Sequence, residues 1–138
     1  MKVFLDANVL LDLVTERDDP QFTKDASVIL SLGEDGALEL FMSAITVPTI
    51  AYVIKKKSAG EKKRIIRDLT SIVSVLPSLP EHVDNALGGI MDDIEDALQV
   101  QSAIAGRCNV IITRDVDDFK LSEIPAISPE EFLKRILR

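Results

Sequence analysis

The chain is predicted to be an α/β protein, a three-layer α/β/α sandwich around a central parallel sheet of about five strands. Three observations carry that prediction. Short apolar runs recur along the 138 residues, helical patterns separate them, and serine-led capping boxes mark where two of the helices begin. Strands that alternate with helices pair in parallel and are covered on both faces, because each crossover lays a helix over the sheet.

In chain order, the apolar runs place strands at Lys2 to Leu5, Leu38 to Met42, Ile72 to Leu76, Asn109 to Thr113 and Pro125 to Ile127. The first long helix follows Asp19-Pro20, with Asp19 as its cap and Pro20 at its first position. Its apolar residues are Phe22, Ala26, Ile29 and Leu30, and it is expected to end at Gly33 or Gly36. Ser58 with Glu61 opens a basic middle helix, and Ser128 with Glu131, spanning Pro129, opens the C-terminal one. A further helix is expected to begin near Asp92, with Ile94, Ala97, Leu98, Ile104 and Ala105 as the stripe facing the sheet.

Composition limits what the chain does. With 46% hydrophobic and 28% charged residues, it is expected to form a single domain over residues 1–138. No apolar run approaches the roughly 20 residues that cross a bilayer, so the expectation is a soluble, cytoplasmic protein without a membrane partner. A lone cysteine, Cys108, and a lone histidine, His82, give no set for structural zinc and are read as structural.

The placement of acids is more telling. Asp6 closes the first strand, Asp115 follows the fourth by two residues, and Asp92-Asp93-Ile94-Glu95-Asp96 stands at the start of a helix. Open α/β sheets bind ligands in the crevice at the carboxyl ends of their strands. Asp92 and Asp96 are four apart and Asp93 and Asp96 three apart, spacings that put both pairs on one helix face. An acidic first turn commonly does no more than cap a helix. Here Asp6 and Asp115, with Asp117 and Asp118 just beyond, arrive from two strand ends to join it. Carboxylates crowded into one cleft repel unless a cation neutralises them, and oxygen ligands without histidine or thiolate suit Mg²⁺ or Mn²⁺. Such ions serve phosphodiester hydrolysis by water.

Four short motifs occur in order along nearly the whole chain: Asp6-Ala-Asn8, Ser43-Ala-Ile-Thr46, Asp96-Ala97-Leu98 and Thr113-Arg-Asp115-Val-Asp-Asp118-Phe119. Together they resemble the PIN-domain nucleases, many of whose small members are VapC-like toxins of toxin–antitoxin pairs. The resemblance implies a PIN-like domain and a metal-dependent endoribonuclease, often a homodimer, with an antitoxin protein as partner and RNA as substrate. It implies Asp6, Asp96 and Asp115 as catalytic metal ligands for Mg²⁺ or Mn²⁺, Asp118 nearby, and Asn8 and Thr113 as residues that position the acids. One departure stands out: the family's second motif usually carries a glutamate where this chain has Thr49. A hydroxyl supplies no negative charge. Asp93, ahead of Glu95, is expected to complete the ligand set; otherwise the fold serves as an RNA- or protein-binding module with little turnover.

Two rival phosphate chemistries lack their residues. A dehalogenase-type phosphatase needs a second aspartate where Asn8 stands, and a phosphoacceptor domain needs an aspartate where the third strand runs into Pro77. The net charge of −7 opposes nonspecific binding of nucleic acid by the molecule as a whole. Seven of its sixteen basic residues nevertheless fall between Lys55 and Arg67, among them Lys55, Lys56 and Lys57. They are read as an RNA-backbone contact, with an acidic partner or plain solvation as alternatives. Arg114 is placed either on phosphate or in a pair with an acid. The apolar positions Ile50, Tyr52, Val53 and Ile54 are read as core or as a dimer contact.

Overall fold

The computed structural model describes residues 1–15 and 19–137. The elements run β1 Lys2–Leu5, α1 Ala7–Val14, α2 Pro20–Glu34, β2 Glu39–Ser43, α3 Thr46–Val53, α4 Ala59–Thr70, β3 Val73–Leu76, α5 Pro80–Gly88 and α6 Ile94–Ala105. Then follow β4 Val110–Ile112, a 3-10 turn Val116–Phe119, β5 Ala126–Ile127 and α7 Pro129–Ile136. All five strands are parallel, in the order β3-β2-β1-β4-β5. The chain builds outward from β1 on one side, then crosses back to lay β4 against the other. The gap between β1 and β4 is therefore the switch point at which such sheets take their ligands.

The inner strands β1 and β4 bury both faces and so read as apolar runs rather than alternations, while the edge strand β3 leaves Ser74 and Val75 exposed. Val3 and Leu5 join one core with side chains of α1, α2, α3, α4 and α7, whereas Phe4 and Ile111 join a second with Val100 and Ala103 of α6. The predicted three layers are present, five helices on one face and α5 and α6 on the other.

The caps form as their residues dictate. The backbone N–H of Gln21 donates to Asp19, that of Glu61 to Ser58 and that of Glu131 to Ser128. Helix α2 runs through Gly33, where a Cβ would come 2.3 Å from Leu40 Cδ1, and the chain turns at Gly36 with φ of +80°. The first glycine permits close approach of helix to sheet and the second permits the turn.

Helix α6 departs from expectation twice. It begins at Ile94, so Asp92 and Asp93 precede it and share no helical face with Asp96; Asp93 is its cap, accepting from the Asp96 N–H at 2.8 Å. Its buried side is Ala97, Gln99, Val100, Ser102 and Ala103, while Ile94 and Ala105 are exposed. Two polar residues occupy that side because the helix crosses the ends of the strands, where polar groups await partners. The apolar stripe at 50–54 also divides: Ile50 and Ile54 are core, Tyr52 and Val53 are exposed.

Candidate active site

The β1–β4 register sets Leu5 beside Ile112, and the Asp6 N–H continues that ladder by donating to the Ile112 carbonyl at 3.0 Å. Asp6 and Thr113 are thereby neighbours at the carboxyl edge of the sheet. Asp6 is only 3% exposed, and each of its oxygens has a donor: Gln99 Nε2 at 2.9 Å on one, Thr113 Oγ1 at 2.8 Å on the other. Gln99 also accepts from the Ala7 N–H at 3.1 Å, so one amide ties α6 both to the end of β1 and to the start of α1. Burial pushes the Asp6 carboxyl above its usual range; the bonds from Gln99 and Thr113 pull against that rise.

The remaining acids gather around this one. Asp115 is exposed, its N–H donating to Thr113 Oγ1 at 3.0 Å and its Oδ2 accepting from Asn8 Nδ2 at 3.3 Å. Thr113 thus bonds to both Asp6 and Asp115, and Asn8 to Asp115. Asp118 follows in the 3-10 turn, which the buried ring of Phe119 anchors. Asp96 is half-buried in the first turn of α6. Burial, then the charges of Asp93, Asp6, Asp118 and Glu95, raise its pKa to about 7. Asp92, Asp93, Asp96, Asp117 and Asp118 also line a cleft of about 340 Å³ with Lys120.

Arg114 faces away from this cleft. Its guanidinium meets the buried carboxylate of Asp12 at 2.8 Å and lies 4.2 Å from the centre of the Phe22 ring. Of the two roles the sequence allowed, it takes the pair with an acid. Thr49 donates its hydroxyl to the Ile45 carbonyl, one helical turn back, at 3.3 Å. Its position adds no charge to the cleft. Lys55, Lys56 and Lys57 lie on the exposed turn between α3 and α4, apart from the acids.

Sequence reasoning missed Gln99 and Asp12. Both leave a signal in retrospect: each is a polar residue on the buried side of an apolar helical stretch, where it persists only if a partner meets it.

The donor set is carboxylate oxygen throughout, and neighbouring negative charge adds to the raised pKa of Asp6 and of Asp96. Both features suit a hard divalent cation. Among the described residues, no three acid, histidine or cysteine side chains already form a compact metal-binding group. The carboxylates fit the ion by chemistry and charge, with side-chain rotation needed to close around it.

A family model described as PIN domain matches residues 2–117. The chain is 29% identical over 144 residues to Ribonuclease VapC1 of Aquifex aeolicus, covering 97% of this chain and 94% of that protein. Its fold is similar to that of a chain in VapBC2 from Rickettsia felis bound to a promoter DNA fragment, with a TM-score of 0.67 at 14% identity over 93% of this chain and 98% of that one. A toxin–antitoxin complex from Klebsiella pneumoniae gives a TM-score of 0.65 at 21% identity over 92% of this chain and 97% of that one.

Two outcomes are expected from this geometry. Replacing Gln99 by Leu removes a donor from a buried carboxylate and an acceptor from the Ala7 N–H, at a cost of about 1 to 3 kcal/mol in urea unfolding. The Asp96 carboxyl binds its proton more tightly folded than unfolded, so the instability it causes is absent below about pH 4 and complete above about pH 7. In chelator, Asp96→Asn is therefore expected to gain nothing over the parent at the acid end. Above neutrality it gains about 1 to 2 kcal/mol after solvent screening, as thermal melts across that range would show.

Proposed function

Because the chain belongs to the PIN domain family, we propose that it is a metal-dependent endoribonuclease and the toxin of a toxin–antitoxin pair. The observation that carries this reading is the convergence of Asp6, Asp96, Asp115 and Asp118 at the switch point of the sheet, around one buried, doubly hydrogen-bonded carboxylate. A relative named as a ribonuclease supports the substrate, and neighbours that are toxin–antitoxin complexes support the partner.

In this reading Asp6, Asp96 and Asp115 hold Mg²⁺ or Mn²⁺, with Asp118 and Asp93 as further oxygen donors. When bound, the ion supplies Lewis acidity for hydrolysis of an RNA phosphodiester by water. The chain's own work is placement. Gln99 and Thr113 fix the plane of the Asp6 carboxylate, one donor on each oxygen. Asn8 restrains Asp115 from the first turn of α1, and Phe119 anchors the turn that presents Asp118. Glu95, on the exposed side of α6, adds negative charge without a ligand's position. A homodimer acting in the cytoplasm completes the proposal.

Thr49 supports a second reading, a PIN-like module that binds RNA or a protein with little turnover. Its hydroxyl is spent on the helix and leaves the cleft one acid short of the family pattern. One assay separates the two: incubation of a mixed RNA pool with the parent in Mn²⁺, with the parent in EDTA, and with Asp6→Asn and Asp96→Asn. The nuclease reading expects cutting only by the parent with metal, and at least about 100-fold less by either variant. Equal cutting in all lanes contradicts the site, and none by folded parent favours the binding module. Thr49→Glu restores a carboxylate and is expected to lower the Mn²⁺ concentration needed for half-maximal cutting.

A further inference from the structure

The chain carries −7 overall and lines its cleft with acids, yet between Lys55 and Arg67 it sets seven cations against one acid, Glu61. None of the seven forms an ion pair with a described residue. Helix α4 turns Ile65, Ile66 and Leu69 toward the core and leaves Lys63, Arg64 and Arg67 exposed. Lys63 and Arg67 are four apart, and Arg64 and Arg67 three apart. Like charges at these spacings weaken a helix by a few tenths of a kcal/mol per pair. Glu61 and Asp68, exposed three and four residues from Arg64, offset part of that cost, and the face keeps a net positive charge that suits a polyanion from outside.

The turn before α4 adds a different kind of surface. Tyr52 is 67% exposed, and the Lys55 ammonium lies 4.2 Å from its ring centre, with Lys56 and Lys57 just beyond. An exposed ring among cations offers stacking as well as charge. That combination suits single-stranded nucleic acid, whose bases stack while its phosphates meet the cations. An acidic polypeptide would use the charge and gain little from the ring. One helix joins the surface to the edge that bears the acids: α3 starts three residues past Ser43, at the carboxyl end of β2, and β2 is the direct neighbour of β1 and Asp6. Tyr52, the seventh residue of α3, lies about 9 Å along the helix axis from Thr46, within reach of a few nucleotides.

We propose that the exposed face formed by Tyr52, Lys55–Lys57 and the outer side of α4 (Lys63, Arg64, Arg67) is a docking surface for single-stranded RNA. It holds the strand by backbone charge and base stacking while a neighbouring phosphodiester enters the acidic cleft. The choice of RNA rests on the nuclease reading, and the surface answers a difficulty of that reading: an acidic protein with an acidic cleft needs attraction elsewhere to retain a polyanion.

The test is fluorescence anisotropy with a labelled single-stranded RNA in EDTA, where no cutting intervenes. Three variants are compared with the parent: Lys63→Gln with Arg64→Gln and Arg67→Gln; Tyr52→Ala; and Lys24→Gln with Arg107→Gln and Lys134→Gln, which removes the same charge elsewhere. Circular dichroism melts establish that each is folded. The α4 variant is expected to bind at least about tenfold more weakly than the parent. Its dependence of log K on log salt should be shallower by about 2, at about 0.7 per lost phosphate contact. Tyr52→Ala should weaken binding without changing that slope, and the control should change neither by as much. An α4 variant indistinguishable from the control in affinity and slope overturns the proposal. So does polyglutamate that binds the parent more tightly than RNA does, which marks an acidic protein as the occupant. Cleavage by the parent in Mn²⁺ is scored in parallel. Cutting with no dependence of binding on the patch overturns the docking surface and leaves the nuclease standing, and patch-dependent binding with no cutting does the reverse.

Discussion

The structure turns on a buried carboxylate at the end of its central strand. An ionisable group removed from water survives only with donors on its oxygens or a cation beside it. Asp6 has the donors, from Gln99 on α6 and Thr113 at the end of β4. Those two bonds join elements more than ninety residues apart in sequence, and they do so at the one place where the sheet reverses its direction of growth. The same bonds that satisfy Asp6 bring α6, and with it Asp96, to the edge of β1.

Around this centre the molecule accepts electrostatic cost. Among the described residues, Asp96, Asp115 and Asp118 pair with no cation; Asp115 bonds to Asn8 and Thr113, and the buried Phe119 ring anchors the turn of Asp118. The nearest arginine in sequence, Arg114, is drawn outward to Asp12 and stacked over Phe22, bracing the loop that carries Asp115 against α1 and α2 without neutralising it. Seven of the sixteen cations are gathered on α4 and the turn before it, while Lys120 lines the acidic cleft. The largest group of cations thus lies on a different stretch of chain from the acids of the cleft, which suits the proposed division between a small cation and a polyanion.

Most of this architecture was legible in the sequence. The five strands fall within a residue or so of their apolar runs, because strands buried on both faces announce themselves by composition. Asp19, Ser58 and Ser128 cap the helices their side chains predict. Asp6 and Asp115 were legible as acids just beyond strand ends. What escaped was the polar interior. Apolar periodicity cannot register that Gln99 and Ser102 face inward, since their burial depends on Asp6 and Ser43, partners far away in sequence. The start of α6 was misplaced for a related reason: in a run of acids, the one that caps is fixed by which side chain meets the free N–H of Asp96, and Asp93 does so.

The proposed nuclease requires that these carboxylates together hold a divalent cation. Titration of the purified protein with Mn²⁺, followed by electron paramagnetic resonance while RNA cutting is scored on the same samples, tests it most directly. The expected result is saturable binding by the parent, cutting that rises in step with occupancy, and loss of both in Asp6→Asn. Cutting that persists in chelator, or Mn²⁺ binding equal in parent and Asp6→Asn, would contradict it.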